Sequence, residues 1–153
     1  MIPLKTLCCY SFYDGLSPEQ LQGIAAISDE ITFEAGEMIL REGELADTLY
    51  VVISGQVDIF IGAGPDGRRR IDIARIGEGD ILGWSAVVTE SRAASAQAAT
   101  PTRLVATDGM ALKALFDLDR DLAFKITWRI ADVLSDRLSL MTQLLTQSFE
   151  TAR

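Results

Sequence analysis

Gly83-Trp84-Ser85-Ala86-Val87-Val88-Thr89-Glu90-Ser91-Arg92-Ala93-Ala94-Ser95 places a glycine and a run of small residues ahead of one arginine. Glycine lets backbone approach a ligand closely, and small side chains leave amide N–H groups uncovered. An arginine adds a planar fork that matches a phosphate. The stretch reads as an anion pocket, with Arg92 as its charged member. The plainer reading gives Arg92 a salt bridge to Glu90 or Glu78.

The segments around it set the fold. From Glu30 to Thr107 the chain consists of short β-prone runs separated by glycine, aspartate or proline, which favours an antiparallel barrel or jelly roll. The predicted strands are Glu30 to Phe33, Met38 to Arg41, Thr48 to Ser54, Gln56 to Ile61, Arg70 to Ile76, Ala94 to Ala99 and Thr102 to Thr107. Ser54-Gly55 reads as a tight hairpin turn and Gly62 to Gly67 as an exposed loop rich in turn formers. Arg68-Arg69-Arg70 is read as a solvated strand edge, with contact to an acidic partner as the alternative, and Arg75 joins that surface.

Helices flank these runs. Ser17-Pro18-Glu19-Gln20 combines an N-cap, a proline at the first helical position and a glutamine three residues after the cap. Phe12 and Leu16 are expected to close over that helix. Asp108 can cap a short helix, and Asp119 or Asp121 can start a longer one carrying Phe124, Ile130, Leu134, Leu138, Met141, Leu145 and Phe149 on one face. The fold class is therefore mainly β with flanking helices: a double-stranded β-helix, or jelly-roll, barrel with an N-terminal helix and C-terminal helices.

Composition narrows the function. The 153 residues, 48% of them hydrophobic, suit one domain over 1–153, with a helix and barrel over about 12–107 and C-terminal helices over about 108–151. A net charge of −8 opposes attraction to a phosphate backbone, so no direct nucleic-acid partner is expected. No run approaches the roughly 20 apolar residues of a membrane span, and the start is a poor signal peptide, so no membrane partner and a cytoplasmic location are expected. Adjacent Cys8 and Cys9 define no disulfide framework and are read as reduced, partly buried packing residues. The absence of histidine removes the usual metal sites of related barrels and any Ser-His-Asp or Cys-His nucleophile. The sequence predicts no catalytic residue, no metal and no enzyme.

The order Phe33-Glu34-Ala35-Gly36-Glu37, Gly43 to Asp47, Tyr50 to Val57 with Ser54-Gly55 inside it, Gly77 to Asp80, Gly83 and Arg92 resembles the cyclic-nucleotide-binding domain family, in the form of the catabolite activator's regulatory domain. The resemblance runs from about Phe12 to Leu145. It implies a short helix inside the cassette whose N-terminal amides face a cyclic phosphate. By position, Gly83 permits close approach, Ser85 and Ala86 offer backbone N–H groups, Arg92 pairs with the phosphate, and Ala93 and Ala94 leave room. The implied ligand is a cyclic nucleotide, cAMP or cGMP, with no other cofactor.

Trp84 departs from that pattern, standing where ligand-binding members usually carry a glutamate that accepts the ribose 2′-hydroxyl. Losing a charge-assisted bond costs roughly 1.5–3 kcal/mol. Trp84 can stack on an aromatic ligand, or it can fill an empty pocket. The segment from Gly83 to Arg92 also reads about one residue short, which leaves its register open. Trp128 is read as a core or dimer-contact residue, with covering or coupling to a ligand as an added role.

The resemblance also implies a homodimer through the last helix, beside the ligand. Two functions follow: a regulatory module whose ligand shifts the C-terminal helices and the dimer, with an effector protein as partner, or a degenerate ligand-free dimerisation or protein-interaction domain. Thr146 to Arg153 is too short for two DNA-reading helices, so no DNA-binding module is expected within these residues, and the unit is read as stand-alone.

Overall fold

Ser17 and Gln20 form the expected capping box, each side chain accepting a hydrogen bond from the other's backbone N–H, at 3.2 and 2.9 Å. With Pro18 fixing the first turn, they start the helix Pro18–Ala26. The computed structural model describes residues 1–89 and 91–151. Before that helix, here α2, lie α1 (Leu4–Leu7) and a 3-10 turn (Ser11–Tyr13). Eight strands follow: β1 Ser28–Phe33, β2 Met38–Leu40, β3 Thr48–Ser54, β4 Val57–Ala63, β5 Arg69–Ile76, β6 Ile81–Leu82, β7 Ser95–Ala98 and β8 Thr102–Asp108. The short helix α3 (Ser85–Val88) separates β6 from β7, and α4 (Gly109–Leu118) and α5 (Arg120–Thr151) follow the barrel.

The strands form two four-stranded antiparallel sheets, ordered β1-β8-β3-β6 and β2-β7-β4-β5. This is the jelly-roll barrel with flanking helices that the alternation of short runs predicts. The strands agree to within two residues at each end, apart from β6, whose two residues are too short to show a period. Ser54-Gly55 requires correction: β3 and β4 lie in different sheets, so the turn is a crossover between sheets rather than a hairpin. The position still requires glycine, since its φ is +97° and a Cβ there would lie 2.5 Å from the Pro101 carbonyl oxygen. The loop after β4 turns at Gly64 to Gly67 and is exposed. Beyond it, the edge strand β5 carries Arg70, paired with Asp72 and stacked over Phe60, and Arg75, paired with Asp58.

β3 is buried on both faces, which explains its unbroken apolar run. Leu49, Val51 and Ile53 meet the helices, in one cluster with Leu7, Phe12 and Ile24, while Tyr50 and Val52 point into the barrel with Val57, Ile59 and Leu104. Leu7 fills the helical cluster from the single turn of α1, which turns Cys8 and Cys9 outward. Both thiols are exposed, contrary to their expected packing role, and the Cys9 thiol donates to the Lys5 carbonyl at 3.2 Å.

Asp108 caps α4 by accepting from the Ala111 N–H at 2.9 Å, and Asp119 caps α5 by accepting from the Leu122 N–H at 3.0 Å. The inward face of α5 is Leu122, Ile126 and Ile130. Phe124 is displaced from its expected face: it pairs with Trp128 on the outside, at 5.9 Å between ring centroids, and both are mostly exposed. Helical spacing aligned Phe124 with the later residues, but the core selected Leu122 and Ile126. Trp128 is accordingly not a core residue.

Candidate ligand-binding site

β6 delivers the chain to Gly83 beside β3, with Leu82 opposite Tyr50. Gly83 has φ +77°, and a Cβ would sit 2.5 Å from the Thr48 carbonyl oxygen and 3.0 Å from Arg92 Nη1. Any other residue would push the turn off β3. α3 then begins: the Ala86 N–H donates to the Gly83 carbonyl and the Val87 N–H to that of Trp84, each at 3.0 Å. Of the two amides assigned to an anion, Ala86 is therefore committed to the turn. The Ser85 N–H has no acceptor among the described residues.

Arg92 is buried, at 5% exposure, under the turn it stabilises. Nη1 donates to the Gly83 carbonyl at 3.0 Å, and Nη2 donates to the Thr48 carbonyl at 2.9 Å and to Asp47 Oδ1 at 3.4 Å. Its backbone is held as firmly, its N–H donating to the Glu44 carbonyl and its own carbonyl accepting from Gly43 N–H. The acidic partner is thus Asp47, not Glu78; Glu90 lies outside the described residues. Burial lowers the Arg92 pKa from its usual value, opposed by Tyr50, Asp47 and Glu44. A guanidinium still remains charged at neutral pH.

Gly83, Trp84, Ser85, Arg92, Ala93 and Ala94 border one recess of about 40 Å³, with room for only a few waters. A larger cavity of about 570 Å³ shares Ile59, Trp84, Ala93 and Ala94 with it and is walled by Glu42, Ile73 and, from α5, Leu134, Leu138 and Met141. Ala86, also assigned to the site, is buried under α3, its Cβ facing Gly109. Trp84 walls both spaces and leaves the larger one open. Trp128 borders neither; its groove is formed with Asp14, Phe124, Lys125 and Arg129.

A backbone turn packed on β3, a buried arginine beneath it and a roofing helix are joined by agreement with known sequences. A model of the cyclic nucleotide-binding domain matches residues 30–119, more than half of the chain. The chain belongs to the cyclic nucleotide-binding domain family. It is 31% identical over 102 residues to a CRP-like cAMP-activated global transcriptional regulator of Mycobacterium tuberculosis, covering 66% of this chain and 45% of that protein. It is 32% identical over 95 residues to the cyclic AMP receptor protein of Thermus thermophilus, covering 61% of this chain and 43% of that protein. The chain thus spans less than half the length of these curated relatives. Among solved structures, a Geobacter metallireducens protein assigned as cyclic nucleotide-binding superposes with a TM-score of 0.81 at 29% identity, covering 90% of this chain and 99% of that one. The Thermus thermophilus catabolite activator protein gives 0.70 at 28% identity, covering 91% and 63%.

One residue that borders both spaces escaped the sequence reading. Arg137 of α5 borders both the small recess and the larger cavity, and its Nη2 donates to the Ile81 carbonyl at the start of β6. Burial lowers its pKa, opposed by Asp80. A signal was present, since Arg137 lies three residues after Leu134 and four before Met141, inside the apolar stripe where a charge is out of place. No helix among the described residues is long and apolar enough to cross a membrane, and they contain no cluster of potential metal ligands.

Proposed function

We propose that this domain is a non-enzymatic sensor: a small anionic ligand of the cyclic-nucleotide class occupies the cavity between cassette and α5, and binding alters the position of α5. The observation that carries this reading is that one cavity is bounded both by Trp84, Ala93 and Ala94 of the cassette and by Leu134, Arg137, Leu138 and Met141 of α5. A ligand filling it touches the fixed barrel and the final helix together, so it can have different affinities for two helix positions, as a ligand-driven shift requires. The Ser85 N–H and Arg92, in the small recess that adjoins this cavity, supply the anion contacts, Ala93 and Ala94 leave space, and Trp84 offers an aromatic wall. Ordinary cAMP binds weakly here, because Trp84 supplies no acceptor for a ribose hydroxyl.

The sensor works as a homodimer in this reading. Leu138, Met141, Leu145 and Phe149 are exposed on α5 beyond the residues its own core uses, and a second copy of the same helix is the occupant that fits a self-complementary apolar stripe. Ile130, expected on the same helix face as these residues, is instead buried in its own core. An effector protein reads the helix position.

A ligand-free interaction domain is the second reading, favoured by the hydrogen bonds that already occupy Arg92. Calorimetry with cAMP and cGMP separates the two. The sensor reading expects weak binding, lost in Arg92→Ala and strengthened in Trp84→Glu. No heat with either variant or the parent chain supports the ligand-free domain.

A further inference from the structure

The described residues of the inner recess include two guanidiniums, Arg92 and Arg137, and no carboxylate. The family's usual glutamate is absent because Trp84 occupies its place. Of the nearby acids, Asp47 meets Arg92 from an exposed position, Glu42 lines the larger cavity with its Oε2 accepting from the Gly62 N–H at 3.0 Å, and Asp80, whose Oδ2 accepts from the Gly77 N–H at 2.9 Å, acts on Arg137 from beyond salt-bridge distance. Arg137 has no salt-bridge partner within 4.0 Å among the described residues and spends one donor on the Ile81 carbonyl. A guanidinium carries five N–H donors, so most of its fork remains for something else. A partly buried cation with no counter-charge in contact is costly, and an anion placed against it offsets that cost.

We propose that Arg137 is a second anion-binding group and that the pocket takes a dianion: one anionic group near Arg92 and Ser85, a second at Arg137, joined by an aromatic or apolar body lying along Trp84. This rests on the reading of the cavity as a ligand site and assigns its ligand class. The replacement of glutamate by Trp84 then has a selective effect as well as a cost: it leaves Glu42 as the one carboxylate among the described lining residues and Arg137 without an ion pair among the described residues. A simple cyclic mononucleotide, with one negative charge, satisfies only half of the site.

The test compares two probes differing by one carboxylate: cAMP, and cAMP carrying a succinyl group on its 2′-oxygen. Calorimetry on the full chain at low salt is expected to show the succinyl derivative binding at least about tenfold tighter than cAMP. Arg137→Gln collapses that preference to within about twofold, Arg137→Lys keeps part of it, and Arg92→Ala weakens both probes. The proposal is overturned if the parent chain binds cAMP as tightly as the succinyl derivative. It is also overturned if Arg137→Gln weakens both probes equally, the result of losing only an anchor for α5. Sensitivity to Arg92→Ala without a preference removes the dianion alone. If neither probe binds at about 1 mM, the ligand-site reading fails and takes this proposal with it.

Discussion

Arg92, on the cassette floor, and Arg137, in the helical roof, border the same recess, yet the chain holds them in opposite ways. Arg92 gives three hydrogen bonds to Gly83, Thr48 and Asp47, and its own peptide groups are tied to Gly43 and Glu44. Arg137 gives one, to Ile81, from a helix whose buried face ends at Ile130. The floor is built as part of the barrel, and the roof rests on it. A site needing both a fixed geometry and a movable reporter can divide them in this way, because local opening is easiest where buried apolar contacts are fewest.

The strongest way to break this contrast is to loosen the part of α5 that the core does hold. Ile126→Ala leaves a cavity in the buried cluster under α5 and is expected to cost about 2–5 kcal/mol by urea unfolding, whereas Trp128→Ala, two residues on but outward, costs under about 0.5 kcal/mol. Equal losses would show that both faces of the helix are packed.

Gly83→Ala tests the floor next. Its φ of +77° and the 2.5 Å approach to the Thr48 carbonyl predict a loss of about 1–3 kcal/mol from strain, with the Arg92 bonds displaced. An unchanged midpoint would mean that the turn can move off β3 freely.

Leu138→Lys with Leu145→Lys tests the roof's outer end. Light scattering is expected to show conversion of a dimer to a monomer without loss of helical circular dichroism, since neither side chain is in the domain's own core. A dimer that survives both lysines places the contact elsewhere.

The smallest effect contrasts buried guanidiniums with an exposed one. Arg75 donates to Asp58 at 2.7 Å across β4 and β5, and this hydrogen bond lowers the Asp58 pKa from its usual value. A carboxylate with a depressed folded pKa adds stability above its unfolded value, near pH 4, and loses it as pH falls through the folded value. Asp58→Asn should therefore cost under about 1 kcal/mol at neutral pH, and the difference from the parent chain should vanish as the pH drops well below 4. A constant difference across that range would assign the effect to packing.

The jelly roll was legible because its signals are local. Alternating apolar residues announce strands, Ser17-Pro18 and Asp108 announce helix starts, and Gly83 ahead of Arg92 announces a backbone turn with a cation. The candidate residues were also adjacent in sequence, so Trp84, Ser85, Ala93 and Ala94 could be placed around one recess without knowing the sheet order.

What failed to show was every fact that depends on which distant surfaces meet. Period alone aligned Phe124 with Leu134 and Leu138, but the shape of the core chose Leu122 and Ile126 and left Phe124 outside. Ser54-Gly55 has the composition of a hairpin turn, yet β3 pairs with β6 and β8 and β4 with β5 and β7, never with each other. The partner of Arg92 proved to be Asp47, 45 positions earlier, and Arg137 reaches Ile81 across 56. The sequence by itself determined the strands, the helix caps and the chemistry available to the pocket, since propensity, capping and charge reside in neighbouring residues. Only the tertiary structure decided which arginine is locked and which is left facing the cavity, because hydrogen-bond saturation depends on backbone carbonyls brought together by sheet order and helix docking.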